Sequence, residues 1–233
     1  LYALPMGTYT VWITQPLAMT GTMQVLLRST PVAQDGVPLS VSALTGQSTF
    51  LTFDALAGES FGLALTNIVT NPSRTTNFAV VTVYEPGSTQ ALAPVPSSVG
   101  TTCQVLRCVW SYRNLTKTGT YRIRVRPFAA DFTFGATLTF ARGLSGTLTP
   151  NQSVDVNFDV PSRLSQLSFT ATGGQHYSLN IDGLSTNPAG SAVSAVVYDA
   201  AGNSEGKISR TVTELANLAP DTYFVWLTQP TPL

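Results

Sequence analysis

Charge is scarce in this sequence. Only 10% of its 233 residues are Asp, Glu, Lys or Arg, well below the roughly one quarter found in an average soluble domain. Twelve basic side chains cancel twelve acidic ones, so no long-range field of either sign surrounds the chain, and neither nucleic acid nor an anionic membrane surface is an expected partner. Histidine occurs once, at His176, and cysteine twice; a closed zinc site needs four ligands, so no metal or cofactor is expected. No apolar run approaches the roughly eighteen residues that span a bilayer. No basic segment leading an apolar one opens the sequence, as a secretory signal would. Leu1 begins in the middle of a strand pattern, which leads to the expectation of an excerpt from a longer polypeptide whose targeting signal lies elsewhere.

What the sequence has in abundance is one strand, written three times. It reads Gly7 to Pro16, Gly119 to Pro127 and Asp221 to Pro230. In each copy a tyrosine and the aliphatic residues after it fall on one face at period two, and a proline closes the run, the pattern of a half-buried strand. The material between copies also recurs. Thr49 to Ala55 and Ser60 to Leu65 have counterparts in Gln166 to Ala171 and His176 to Ile181; Val80 to Glu85 has one in Ala195 to Asp199; Val37 to Ala43 has one in Ser153 to Phe158. Phe53 and Phe169 stand 116 residues apart, Tyr84 and Tyr198 114, but Tyr121 and Tyr223 only 102. The earlier stretch therefore carries an insertion over residues 86–102, whose Ser, Pro, Gly and Ala content predicts a mobile loop without core contacts of its own. Cys103 and Cys108 follow it with the spacing of cross-strand partners around a short loop. A disulfide there would brace the base of the insertion and contribute about 2 kcal/mol; the alternative is a pair of reduced thiols.

Short strands at roughly ten-residue spacing, Gly, Pro and Asn turns and no helical period predict an all-β chain of two tandem antiparallel β-sandwich modules, Ig-like or jelly-roll-like. The expected frame is 1–28 as the closing hairpin of a preceding module, 29–142 as one module and 143–233 as a second lacking its last strand. A supernumerary strand and a vacancy then share one chain. Thr22 to Leu27 are expected to fill the vacancy of another molecule, unless the frame closes internally.

Gly7 to Val11, Pro16, Thr20-Gly21 and Gly146-Thr147-Leu148-Thr149-Pro150 resemble the tandem repeat of large secreted bacterial proteins, including some Rhs/YD-repeat polypeptides. Phe169 to Gln175 and Ala219 to Val225 are similar to the bacterial pre-peptidase C-terminal domain. The resemblance implies an extracellular or cell-surface bacterial location and a non-catalytic accessory or spacer role within a long polypeptide. Where calcium-binding members of the pre-peptidase family carry acidic residues on the central strand, this chain has Val80 to Tyr84 and Ala195 to Tyr198.

Candidate chemistry is sparse. His176 follows a Gly-Gly-Gln turn with no orienting acid or nucleophile patterned beside it, and Ser60 holds its matched position, so it reads as a turn residue. Asp182, Asp199 and Asn203 could approach calcium at a module end, but their glycine neighbours explain them equally as turn residues. The outward positions of the recurring strand are more distinctive. They are Thr10, Trp12 and Thr14 in the first copy, Arg122, Arg124 and Arg126 in the second, and Phe224, Trp226 and Thr228 in the third. Trp12, Phe224 and Trp226 could stack on sugar rings, or be covered by a neighbouring module. The arginine comb spans about 13 Å and could grip an acidic glycan, or be a solvated face that discourages edge aggregation. The favoured expectation is a non-enzymatic structural or interaction module, a spacer or adhesion stalk, whose partners are neighbouring repeats and possible glycan or surface-protein ligands. The alternative is a carbohydrate-binding accessory domain, which requires an accessible Trp12 or Trp226.

Overall fold

The computed structural model describes residues 30–95, 100–185, 193–208 and 213–228, with Thr10 alone before them. The first copy of the recurring strand, Trp12 included, and the arm after it lie outside the described residues. Every regular element among the described residues is a β-strand.

Among the described residues, nine strands precede Gly143. They are β1 (Pro38–Ala43), β2 (Thr49–Ala55), β3 (Phe61–Asn71), β4 (Ala79–Tyr84), β5 (Ala91–Leu92), β6 (Thr102–Cys103), β7 (Cys108–Tyr112), β8 (Gly119–Pro127) and β9 (Thr133–Arg142). One antiparallel sheet runs β1-β9-β3-β7 and the other β2-β8-β4-β5, with β6 also pairing to β4. The recurring strand is β8, a central strand of its sheet, and its alternation is clean: Tyr121, Ile123 and Val125 are buried, and the residues between them reach the outer face. Between the sheets lies an aromatic cluster. Phe53 sits 4.7 Å from Phe61, 5.4 Å from Tyr121 and 4.6 Å from Phe140, and Phe61 stacks on Tyr112 at 4.7 Å. Pairs at these spacings add about 0.5–1.5 kcal/mol each to the burial of their surface.

The insertion departs from the expected loop without core contacts. Its described residues form β5 and β6, both laid along β4, with Val83 opposite Leu92 and Ala79 opposite Cys103. Cys103 is fully buried, and the Trp110 indole donates to the Gly100 carbonyl at 3.0 Å. The physical reason is topological: the chain must cross from β4 in one sheet to β7 in the other, and it satisfies its backbone on the way by pairing along β4. The disulfide between Cys103 and Cys108 is formed, with 5.6 Å between their Cα atoms.

Seven strands follow among the described residues: β10 (Leu144–Thr147), β11 (Leu164–Ala171), β12 (Tyr177–Leu179), β13 (Ser194–Tyr198), β14 (Ser204–Ile208), β15 (Thr213–Leu215) and β16 (Asp221–Thr228). They form one five-stranded sheet, β10-β11-β16-β13-β14, and a two-stranded sheet, β12-β15. β10 is parallel to β11; the other pairings are antiparallel. The order β11-β16-β13-β14 reproduces β2-β8-β4-β5, and Phe169 stacks on Tyr223 at the same 5.4 Å as Phe53 on Tyr121. Both tyrosines pin the turn ahead of their strand, Tyr121 donating to the Lys117 carbonyl at 2.6 Å and Tyr223 to the Ala219 carbonyl at 3.2 Å, as tyrosine corners do in sandwiches. The two units keep separate apolar cores.

Candidate functional site

The arginine comb lies on one face of β8, as its period dictates, and the sheet beneath engages every tooth. The Arg122 guanidinium lies 4.6 Å from the Tyr84 ring centre and 5.7 Å from that of Phe50. Arg124 donates through Nε to the Ser48 hydroxyl at 2.9 Å, and Arg126 donates to the carbonyls of Pro127 and Phe128 at 3.1 and 3.2 Å. All three are half-buried.

On β16 the alternation predicts Phe224, Trp226 and Thr228 outward. Phe224 and Thr228 are half-buried, but Trp226 is only 3% exposed. Its cover is Arg113 from the other unit, whose guanidinium sits 4.5 Å from the indole centre and 5.7 Å from the Tyr198 ring. Burial lowers the Arg113 pKa, and the Tyr198 hydroxyl opposes that shift. Trp226 thus has no open face for a sugar ring and belongs to a contact between units.

That contact continues into a polar junction. β9 passes into β10 through Gly143 alone, and the Gly143 amide donates to the Ser60 carbonyl at 2.7 Å. Arg163, with its side chain 8% exposed, pairs with Asp35 at 3.2 Å and Asp159 at 2.5 Å and donates to the Arg142 carbonyl at 3.1 Å. Asp35 in turn accepts from the Arg142 amide at 2.8 Å. Arg142 donates onward to Glu59 at 2.8 Å and to the Asp54 carbonyl at 2.6 Å, along one wall of a shallow depression that Leu56 and Thr118 complete. A guanidinium with a fixed fork of donors suits such a node, because it can hold several acceptors at once. Backbone packs against backbone beside it: a Cβ placed on Gly62 would stand 1.9 Å from the Ser162 carbonyl oxygen.

The sequence pattern places the comb and β16 correctly and overlooks this junction. Arg113, Arg163, Asp35 and Gly62 belong to no motif, although Gly62 carried a usable signal: a lone glycine inside an apolar strand marks a close backbone approach. The remaining candidates stay apart. His176 is exposed. Asp182 accepts from the Asn180 amide group at 2.7 Å. Asp199 accepts from the backbone and side-chain nitrogens of Asn203 at 2.7 and 2.8 Å, which lowers its pKa. Each acid is thus satisfied within its own turn. Among the described residues no three of His, Cys, Asp or Glu gather as metal ligands, and no helix is long and apolar enough to cross a membrane. Compared with known proteins, the sequence matches no family model and no curated relative.

Proposed function

We propose that this chain is a spacer segment of a bacterial cell-surface or secreted repeat protein, in which β-sandwich repeats are joined at a fixed angle to hold a terminal activity away from its anchor. The observation that carries the reading is the junction. A single residue separates the last strand of one unit from the first strand of the next, and Arg163, Arg142 and Asp35 tie the two sides together. A linker this short, with the buried Arg163 of one unit paired to Asp35 of the other, leaves the units no independent swing. The disulfide and the low charge suit an oxidising extracellular setting, and the resemblance to secreted bacterial repeats points the same way.

Spin labels on exposed positions of the two units, Leu44 and Leu184, test the reading through their distance distribution. One narrow peak that broadens in Arg163→Ala is the expected result. A broad distribution in the unaltered chain would overturn a rigid spacer, and a positive carbohydrate array, lost on replacing Arg122, Arg124 and Arg126 with alanine, would favour a glycan-binding role instead.

A further inference from the structure

The ends of the two units that lie away from the junction carry opposite charge. In the first unit Phe61 pairs with Arg142 beside the junction, while Asn71 pairs with Thr133 and Ala79 with Pro127 at the far end. Four connections meet at that far end, residues 44–48, 72–78, 104–107 and 128–132. They raise Leu44, Val105, Leu106 and Phe128 to the surface, each at least 40% exposed. Arginines surround these side chains. Arg107 is exposed, Arg126 donates to the Phe128 carbonyl, Arg74 lies over the Phe132 ring, and Arg124 stands two residues before Arg126 on the outer face of β8. The four connections hold one acid, Asp131, and Arg74 already pairs with it at 2.6 Å.

The far end of the second unit is the acidic counterpart. Ala171 pairs with Asp221 there, at the other extreme of the sheet from Leu164 and the junction. Connections 172–176, 199–203 and 216–220 meet at this end, and they contain no lysine or arginine. Asp221 accepts from the Ala200 amide at 3.4 Å, which sets its carboxylate beside the Asp199 turn. Glu205 and Glu214 are exposed nearby. Burial raises the Tyr223 pKa, and the charges of Glu205, Asp221 and Asp199 raise it further. Between the acids the surface is small and apolar, with Ala200, Ala201, Ala216, Ala219 and Pro220 all exposed.

We infer that these two ends bind each other, so that a second copy of the chain docks the acidic end of its second unit onto the basic end of the first unit. The internal junction is the precedent. There Arg163 of the following unit reaches Asp35 of the preceding one, and Arg113 of the preceding unit covers Trp226 of the following one. Position 226 corresponds to 124, because Tyr223 corresponds to Tyr121 as the corner residue. Position 113 corresponds to 216: Leu215 pairs with Tyr177 as Tyr112 does with Phe61, and Asn217 and Asn114 after them share a left-handed backbone, with φ of 56° and 50°. Arg124 therefore meets Ala216 rather than a second arginine, so the like-charge clash that the first unit's own Arg113 would make there is absent. Large apolar tips face a floor of alanines, and arginines at the rim face carboxylates, the anatomy of a specific interface. Because the two ends differ, the contact is heterologous, and copies join head to tail.

The inference extends the array reading to contacts between molecules, and a monomer with a rigid junction would overturn it while leaving that reading in place. Light scattering of the full chain should show species at multiples of 24.7 kDa that grow with concentration. Leu106→Asp at the basic end and Ala216→Arg at the acidic end should each give a monomer with unaltered tryptophan emission. Their equimolar mixture should form a dimer and nothing larger, because one intact end of each kind remains. A constant monomeric mass up to millimolar concentration overturns the proposal, and so does a mixture that stays monomeric or a Leu106→Asp chain that still associates. A monomer that sediments with phosphatidylglycerol vesicles, and ceases to do so in Leu106→Asp, overturns it in favour of a lipid surface beneath the apolar tips.

Discussion

Two tyrosines with nearly the same burial have opposite standing. Tyr121 donates its hydroxyl to the Lys117 carbonyl at 2.6 Å, whereas the Tyr112 hydroxyl is buried without a partner among the described residues. Burial accordingly pushes the Tyr112 pKa well above its ordinary value, since the charged form has nothing to hold it. A buried donor left unpaired costs about 1–3 kcal/mol, while a satisfied one contributes about 1 kcal/mol. Tyr121→Phe should therefore lower stability by about 1–2 kcal/mol, and Tyr112→Phe should leave it unchanged or raise it by about 1 kcal/mol. Denaturant midpoints of the two variants check the contrast. Gly62 makes a different demand. Its added methyl would meet backbone, the Ser162 carbonyl, and cannot be accommodated by a side-chain rotation. Gly62→Ala should therefore keep β3 paired and force the junction open, seen as a red shift of Trp226 emission as its cover withdraws.

Elements show how far periodicity reaches. β8 and β16 were legible because half-buried strands alternate, and Tyr121, Ile123, Val125 and Tyr223, Val225, Leu227 bury as their spacing requires. Alternation fails at Trp226, on the outward phase yet buried, because it reports only how a strand faces its own sheet and says nothing of what another unit lays on top. The insertion departs from its composition for a related reason. Its Ser, Pro and Ala content signals weak local preference, while the pairing of Ala91–Leu92 and Thr102–Cys103 with β4 is a non-local gain that composition cannot express. The spacing of Cys103 and Cys108 allows a disulfide or a reduced pair, and the structure has the disulfide. It closes a six-residue ring beside β4, so its reduction should cost about 2 kcal/mol by loop entropy. Replacing both cysteines with alanine checks this against reduction, and agreement between the two within about 0.5 kcal/mol is expected once the lost side-chain burial is allowed for.

At the scale of the whole chain the two units are unequal partners. The first closes an aromatic core between two sheets and carries the disulfide; among its described residues the second faces a five-stranded sheet with two strands of three residues each and holds Tyr177, Leu179, Ile181, Val156 and Phe158 half-buried. Apolar surface still in contact with water contributes nothing to burial, at about 25 cal/mol per Å² forgone, so the second unit should be the less stable one. The junction links them, since Arg163 and Trp226 lose their partners on Asp35 and Arg113 when either side unfolds. Dilute protein should therefore melt in two calorimetric transitions, the second unit first. Arg163→Ala removes charge-assisted hydrogen bonds worth about 1.5–3 kcal/mol in all and should lower the first transition alone, because Asp35 remains 38% exposed and can return to water. Reduction of the disulfide should lower the second transition alone. A single transition that shifts as one with both changes would instead mean that the junction fuses the units into one cooperative body, and the half-buried flank of the second would then draw its stability from the first.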